Sequence, residues 1–285
     1  MNRPLISVII PCYNCAETIA TAISSIQNQT YQNIEIIVVD DASTDNTKDV
    51  VKEIIKHDKR ITLIDSENDP KKFDPILKRN INAGWSARNT GFKIAKGQYI
   101  TFQDADDASL KNRIEIQLFL IEKYKASHVT LDWFKFQDKY LNRELDFDKF
   151  KNGLTHNLIG PKELYRLSQK TKGIISKFSE KINSQIPFHW KRKRFVNKLF
   201  WSSLAPYPGT GNSPLFERKV IDKVKFRPLE YRIWPSFMGR GADRDFNFEV
   251  AETFCNSYVF FIPAYMWRMD KENENYSDNI EQYLK

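Results

Sequence analysis

The stretch IEIIVVDDASTDNTKDVVKEII, residues 34–55, changes period in its middle. Residues 34–39 form an almost continuous β-branched run, as a strand buried on both faces requires. The run stops at Asp40-Asp41. Ser43 and Thr44 are candidate N-caps, with Asp45 in the first turn. Val50, Val51, Ile54 and Ile55 then recur at helical spacing. A buried strand, a polar turn and an amphipathic helix follow one another, which makes a βα unit.

The same unit repeats on both sides. Upstream, residues 5–10 are an apolar run, and residues 16–29 carry Ile19, Ile23 and Ile26 at helical spacing. Downstream, residues 61–64 read as a third strand and residues 66–82 as a polar loop with a helical turn. Residues 85–95 read as a helix closed by Lys96-Gly97, and residues 98–103 as a fourth strand. Alternating strands and helices with short connections dictate a parallel sheet with right-handed crossovers and helices on both faces. The predicted class is α/β, with a Rossmann-like, mostly parallel sheet.

The second half is less regular. Residues 110–125 read as an amphipathic helix and 128–136 as a strand. A helix is predicted at 162–169, a turn-rich loop at 209–214, a helix at 243–254 and a late strand at 257–262. Residues 137–160 are charged and show no clear period. Two halves of one fold are expected, 1–136 and 137–285.

Composition bounds the function. The 285 residues are 41% hydrophobic and 13% aromatic, enough for a sizeable core and unlike a disordered chain. No apolar run approaches the roughly 18 residues that span a bilayer. The N-terminus breaks at Pro11 and reads as a first strand rather than a signal peptide, so a cytoplasmic protein is expected. Three cysteines make no disulfide framework. Cys12 and Cys15 form one C-x-x-C and read as two small residues near a turn, since a zinc ribbon needs a second pair. The four histidines lack metal-ligand spacing. A net charge of +8 favours an anionic partner: nucleotide, nucleic acid or acidic membrane.

In open α/β sheets, ligands bind beyond the carboxyl ends of the strands. Three polar clusters fall there: PCYN (11–14), DDAS (40–43) and DADD (104–107). The last puts three carboxylates into four positions. Such crowding is either a solvated turn, with an N-cap near Ser109, or a site that holds a cation.

SVIIPCYN (7–14), VVDDASTDNT (38–47), NAGWSARNTG (82–91) and DADD (104–107), in that order, resemble glycosyltransferase family 2. Further on, GTGNSPLFERKVIDKVKF (209–226) resembles the family's acceptor-side segment and GADRDF (241–246) its G-E-D-x-x-F motif. The resemblance implies a GT-A fold and transfer of a sugar, with inversion, from a nucleotide-diphosphate donor to a saccharide or lipid-linked acceptor. It implies a Mn²⁺ or Mg²⁺ cofactor, with Asp106 as ligand and Asp104 on the metal or the ribose, while Asp107 supports the loop. Pro11, Tyr13 and Asn14 would floor the nucleotide pocket, with Tyr13 stacked on the base. Asp41 would accept from the base, uracil being favoured. Arg88 would face the diphosphate or brace the loop through a carboxylate. Asp243 is the implied general base and Asp245 the fallback. Asn212 and Ser213 would line the acceptor groove. The Glu of the family motif is Ala242 here, which alters the charge on the acceptor side.

Residues 188–201, FHWKRKRFVNKLFW, carry five basic residues and no acidic one among large apolar side chains. That composition suits an interfacial amphipathic helix on an anionic inner leaflet, or a helix with its aromatics in the core. Surface polysaccharide assembly in bacteria is the expected setting. The competing classes are a nucleotidyltransferase and a non-catalytic nucleotide-sugar or nucleic-acid-binding protein. The first would carry a Gly-rich, basic phosphate loop after the first strand, which PCYNCAET lacks. Without an RNA-binding or helix-turn-helix signature, no nucleic acid partner is expected.

Overall fold

The computed structural model describes residues 3–67, 73–74, 79–80, 83–151, 153–154, 158–201, 205–234, 241–268 and 280–285. The first half runs β1 (Ile6–Cys12), α1 (Ile19–Gln27), β2 (Ile34–Asp40), α2 (Thr47–Ile55), β3 (Ile61–Asp65), β4 (Phe73–Asp74), β5 (Arg79–Asn80), α3 (Trp85–Ile94), β6 (Tyr99–Phe102), β7 (Ala108–Ser109), α4 (Arg113–Lys123) and β8 (His128–Lys135). The second half adds α5 (Asp148–Lys151), β9 (Leu158–Ile159), α6 (Pro161–Thr171), α7 (Ile174–Phe178), α8 (Glu180–Gln185), α9 (Phe188–Lys191), α10 (Asn197–Phe200), β10 (Leu215–Glu217), α11 (Ala242–Phe254) and β11 (Ser257–Trp267).

The main sheet has the order β3-β2-β1-β6-β10-β8-β11-β7, with β9 beside β11. β3, β2, β1 and β6 are parallel. β10 enters antiparallel between β6 and β8, and β11 runs parallel to β8. The second half therefore completes the sheet that the first half begins.

Alternation along the central strands explains their continuous apolar runs. Ile6, Val8 and Ile10 of β1 and Ile36 and Val38 of β2 pack with Ile19, Ile23 and Ile26 of α1 and Val51 of α2. Their neighbours Ile9, Ile37 and Val39 point to the opposite face, onto Ala87 and Phe92 of α3 and Phe246 of α11. A strand covered on both sides has no polar face to show.

Three expectations change. Within 66–82, where a polar loop is expected, residues 73–74 and 79–80 pair antiparallel as β4 and β5. Residues 68–72, 75–78 and 81–82 of that stretch lie outside the described residues, as does His156. The late strand does not stop at 262: irregular pairing with β8 around Pro263 absorbs the proline, and β11 continues to Trp267. Finally, 188–201 is two short helices, α9 and α10, separated by turns. Among the described residues no helix is long and apolar enough to cross a membrane.

Candidate active site

The acidic cluster sits where β6 ends. Gln103 N–H still bonds Ile9 O, at 3.1 Å, and the Asp107 N–H closes the turn on Asp104 O, at 3.2 Å. β7 follows at once and pairs with β11 at Tyr265 and Met266. A turn pinned at both ends brings the carboxylates of Asp104, Asp106 and Asp107 within 4.8 Å of one another. Asp106 is exposed, Asp104 half-buried and Asp107 buried.

Each inner carboxylate is held from behind. The Arg88 guanidinium bonds Asp104 Oδ1 at 2.6 Å and Ala83 O at 2.8 Å, lying over the Phe102 and Phe226 rings. Of the two roles expected for Arg88, the structure displays the brace. Asn212 Nδ2 donates to Asp104 Oδ2 at 2.8 Å and stands 3.1 Å from the Tyr265 hydroxyl. Tyr265 donates to Asp107 Oδ2 at 2.8 Å, and Arg268 N–H to Asp107 Oδ1 at 2.7 Å. Arg268 Nε also reaches Asp106 O at 2.8 Å. Tyr265 and Arg268 are absent from the sequence-level site because Pro263 reads as a strand end.

Burial pushes the Asp107 carboxyl up to about 8, helped by the neighbouring charges of Asp104 and Asp106. Burial likewise raises Asp104, against the pull of Arg88. A divalent cation relieves this kind of strain, and hard carboxylate oxygens are what Mg²⁺ and Mn²⁺ select. The exposed Asp106 fits such an ion, and Asp104, whose oxygens accept one donor each from Arg88 and Asn212, keeps lone pairs to share with it, while Asp107 is buried against Tyr265 and Arg268.

The other two clusters lie on the same rim. Cys12 of β1 pairs with Asp40 of β2, and Asp40 with Asp65 of β3. Pro11 is half-buried and the Tyr13 ring is 48% exposed, open for stacking. Asn14 turns with φ 48° and accepts from Thr44 N–H at 2.7 Å, tying the first loop to the second. Asp41 is buried and accepts from the Ser66 hydroxyl. Asp40 accepts from Ser43 N–H at 3.0 Å, three residues on, and so closes the turn after β2. Cys12 and Cys15 are free thiols here.

On the acceptor side the structure separates the two candidate bases. Asp245 is fully engaged: Arg227 donates two hydrogen bonds, at 2.8 and 3.1 Å, and Ile233 and Trp234 N–H donate at 2.7 and 2.9 Å. Buried and held by these four donors, it anchors α11. Asp243, in the first turn of the same helix, is half-buried beside Gly211. A Cβ on Gly211 would lie 3.1 Å from Asp243 Oδ2, so only glycine allows this approach without displacement. Asn247 Nδ2 bonds both Gly211 O and Asp243 O, at 2.6 and 2.7 Å, and its Oδ1 meets His128 Nε2 at 2.7 Å. Sequence inspection gave Asn247 no signal and took His128 as an ordinary histidine.

Asn212 and Ser213 part company. Asn212 clamps the acidic cluster from the loop that also touches Asp243. Ser213 is fully buried, its carbonyl accepting from Gln117 at 2.7 Å and Arg113 at 3.4 Å. It reaches no groove, which corrects the expected acceptor role: the carbonyl anchors the loop to α4 from inside.

The family whose description is Glycosyl transferase family 2 matches residues 7–182. An uncharacterized glycosyltransferase of Haemophilus influenzae is 41% identical over 126 residues, 44% of this chain and 45% of its own. The Escherichia coli UDP-Glc:alpha-D-GlcNAc-diphosphoundecaprenol beta-1,3-glucosyltransferase WfaP is 38% identical over 141 residues, 49% of this chain and 48% of its own. The chain thus spans about half the length of the curated relatives it matches. The crystal structure of S. aureus TarS 1-349 with UDP-GlcNAc aligns at a TM-score of 0.54 and 16% identity, covering 95% of this chain and 61% of that one. The mannosyltransferase PcManGT from Pyrobaculum calidifontis, with GDP-Man and Mn²⁺, aligns at 0.52 and 17%, covering 95% and 59%. These two likenesses show the shared GT-A fold. With the family match running through β1, β2 and the acidic turn over more than half of its length, the chain belongs to glycosyltransferase family 2.

Proposed function

We propose that the chain is an inverting, metal-dependent glycosyltransferase. It moves a sugar from a UDP-sugar to a saccharide or lipid-linked acceptor, at the cytoplasmic face of the membrane, in bacterial surface polysaccharide synthesis. One observation carries this reading. Asn212 holds Asp104 at 2.8 Å while the adjacent Gly211 packs against Asp243, so a single loop couples the acidic cluster to the candidate base.

Asp106 and Asp104 would hold Mn²⁺ or Mg²⁺, which supplies charge neutralisation to a diphosphate leaving group. Tyr13 stacks on the base and Asp41 accepts its N–H. Asp243 takes the proton from the acceptor hydroxyl as that oxygen bonds the anomeric carbon. The bond from that carbon to the diphosphate oxygen breaks on the opposite side, which inverts the centre. The E. coli relative named for UDP-Glc and a diphosphoundecaprenol acceptor supports both substrate classes.

Calorimetry with UDP, GDP, CDP and dTDP, each with and without Mn²⁺, tests the proposal. Tight UDP binding that requires the metal is the expected result. Binding of another of the four instead would overturn the role of Asp41. Binding of none would overturn the transferase.

A further inference from the structure

Residues 174–201 build a helical outcrop beside the sheet. α7 to α10 fold over a small core of their own: Phe188, Phe200, Trp201 and Leu229, with Ile175, Ile186 and Val196 against it. That accounts for only part of the segment's apolar content. Ile174 is 59% exposed, Ile182 50%, Trp190 55%, Phe195 90% and Leu199 43%. These are five of the twelve exposed large apolar side chains among the described residues, gathered within 174–199.

Two of them are brought together by the chain path. Gly173 N–H bonds Phe200 O at 3.0 Å, and a Cβ on Gly173 would stand 2.5 Å from Leu199 O, which sets Ile174 beside α10. The Lys193 ammonium sits 4.5 Å over the Trp190 ring, so cations and apolar groups share one surface. Residues 174–201 hold seven Lys and Arg against Glu180 alone, a net +6 (7 − 1) out of the chain's +8. Lys191 is buried, its ammonium on Glu230 O at 2.8 Å. Lys177, Lys181, Lys193, Arg194 and Lys198 are exposed.

Open aromatic and aliphatic side chains ringed by cations match an anionic bilayer surface: apolar groups enter the headgroup boundary while Lys and Arg meet the lipid phosphates. We infer that residues 174–199 dock this chain on an anionic membrane, with Trp190, Phe195 and Leu199 inserting and Lys193, Arg194 and Lys198 contacting headgroups. The docking element is a helix-turn-helix tip, not a single helix lying in the interface. The inference deepens the lipid-linked acceptor of the proposed function and takes its purpose from that reading. The contact itself stands on the patch.

Sedimentation of the full chain, without nucleotide, with phosphatidylcholine vesicles and with equimolar phosphatidylcholine–phosphatidylglycerol vesicles tests it. Binding only to the anionic vesicles, weakened by salt, is expected. K193Q/R194Q/K198Q should lower affinity about fivefold per charge. Phe195→Ser with Leu199→Ser should lower it at least about tenfold. K52Q/K56Q, which removes two exposed cations, one in α2 and one just after it, should leave it unchanged. A vesicle-induced blue shift in tryptophan fluorescence should be lost in Trp190→Phe. Equal binding to both vesicles, or none, overturns the inference. So does a dimer that Phe195→Ser dissociates without any vesicle binding, which would assign the patch to a second copy. UDP affinity measured on the same samples separates the failures: vesicle binding lost with UDP binding kept sinks only the docking surface, and the reverse sinks only the transferase.

Discussion

The Tyr265 hydroxyl donates to Asp107 Oδ2 across 2.8 Å, joining the turn after β6 to the far end of β11. The Tyr265 hydroxyl oxygen in turn accepts from Asp104 N–H at 3.3 Å and from Asn212 Nδ2 at 3.1 Å, so one phenol organises the whole turn. Tyr265→Phe removes it at no change of shape. Asp107 loses a donor and two N–H groups lose their acceptor, which costs about 2 kcal/mol. Thermal unfolding should fall by roughly 4–8 °C, and Mn²⁺-dependent UDP affinity should weaken with it. An unchanged melting curve would show that the turn is held by other means.

Asp106 behaves differently because it is the exposed member of the three. Asp106→Asn keeps shape and removes charge, so stability should stay within about 0.5 kcal/mol of wild type. Turnover should fall roughly 100-fold or more, and UDP binding should lose its response to Mn²⁺. Calorimetry beside thermal melts checks both. A variant that still responds to Mn²⁺ would move the ion to other ligands.

Asp243 and Asp245 stand two residues apart and should fail in opposite ways. Asp243→Asn should cut kcat by about 10²- to 10⁴-fold and leave UDP affinity intact. Asp245→Ala leaves Arg227 with Glu249 as its carboxylate partner and takes the acceptor from the buried N–H groups of Ile233 and Trp234, a loss of about 3–5 kcal/mol. Urea unfolding of both, with single-turnover rates for the first, distinguishes base from anchor. Equal destabilisation of the two would remove Asp243 from the chemistry.

How much of this could be read beforehand depends on whether the cause is local. β1, β2, β3 and β6 announce themselves because burial on both faces leaves only apolar residues. The acidic turn is visible because like charges rarely crowd without a reason. Tyr265 is hidden, since its role exists only once β11 passes Pro263 and pairs with β7. Asn212 looks like part of a groove but is spent on Asp104, because its partner is 108 residues away. Asp245 resembles a base until Arg227 is seen to grip it. The segment 188–201 has one composition and two fates: Phe188, Phe200 and Trp201 turn inward while Trp190 and Phe195 turn out. Composition reports that both kinds are present, and only chain geometry sorts them.

His128 gives a pH test of the acceptor-side scaffold. Asn247 Nδ2 is committed to Gly211 O and Asp243 O, so its Oδ1 must accept from His128 Nε2–H. The proton then sits on Nε2, and Nδ1 is buried without a hydrogen-bond partner among the described residues. Protonating Nδ1 would bury an unpaired charge, and burial accordingly depresses the histidine from 6.5 to about 4. Below the unfolded value the unfolded chain binds a proton that the folded chain refuses. Stability from this group is therefore full above about pH 7 and lost as the pH falls from about 6.5 toward 4, by about 2 kcal/mol between pH 7 and pH 5. Asp107, raised to about 8, has the opposite sign: the folded chain keeps a proton that the unfolded chain has released. The measurement must therefore be a difference. His128→Gln places an amide N–H near the position of Nε2 and cannot titrate. Urea unfolding at pH 7 and pH 5 should show a larger loss on acidification for wild type than for His128→Gln, by about that 2 kcal/mol. Parallel losses in the two proteins would mean that the folded chain also protonates His128, with Nε2–H still donating to Asn247 Oδ1 and Nδ1 finding an acceptor.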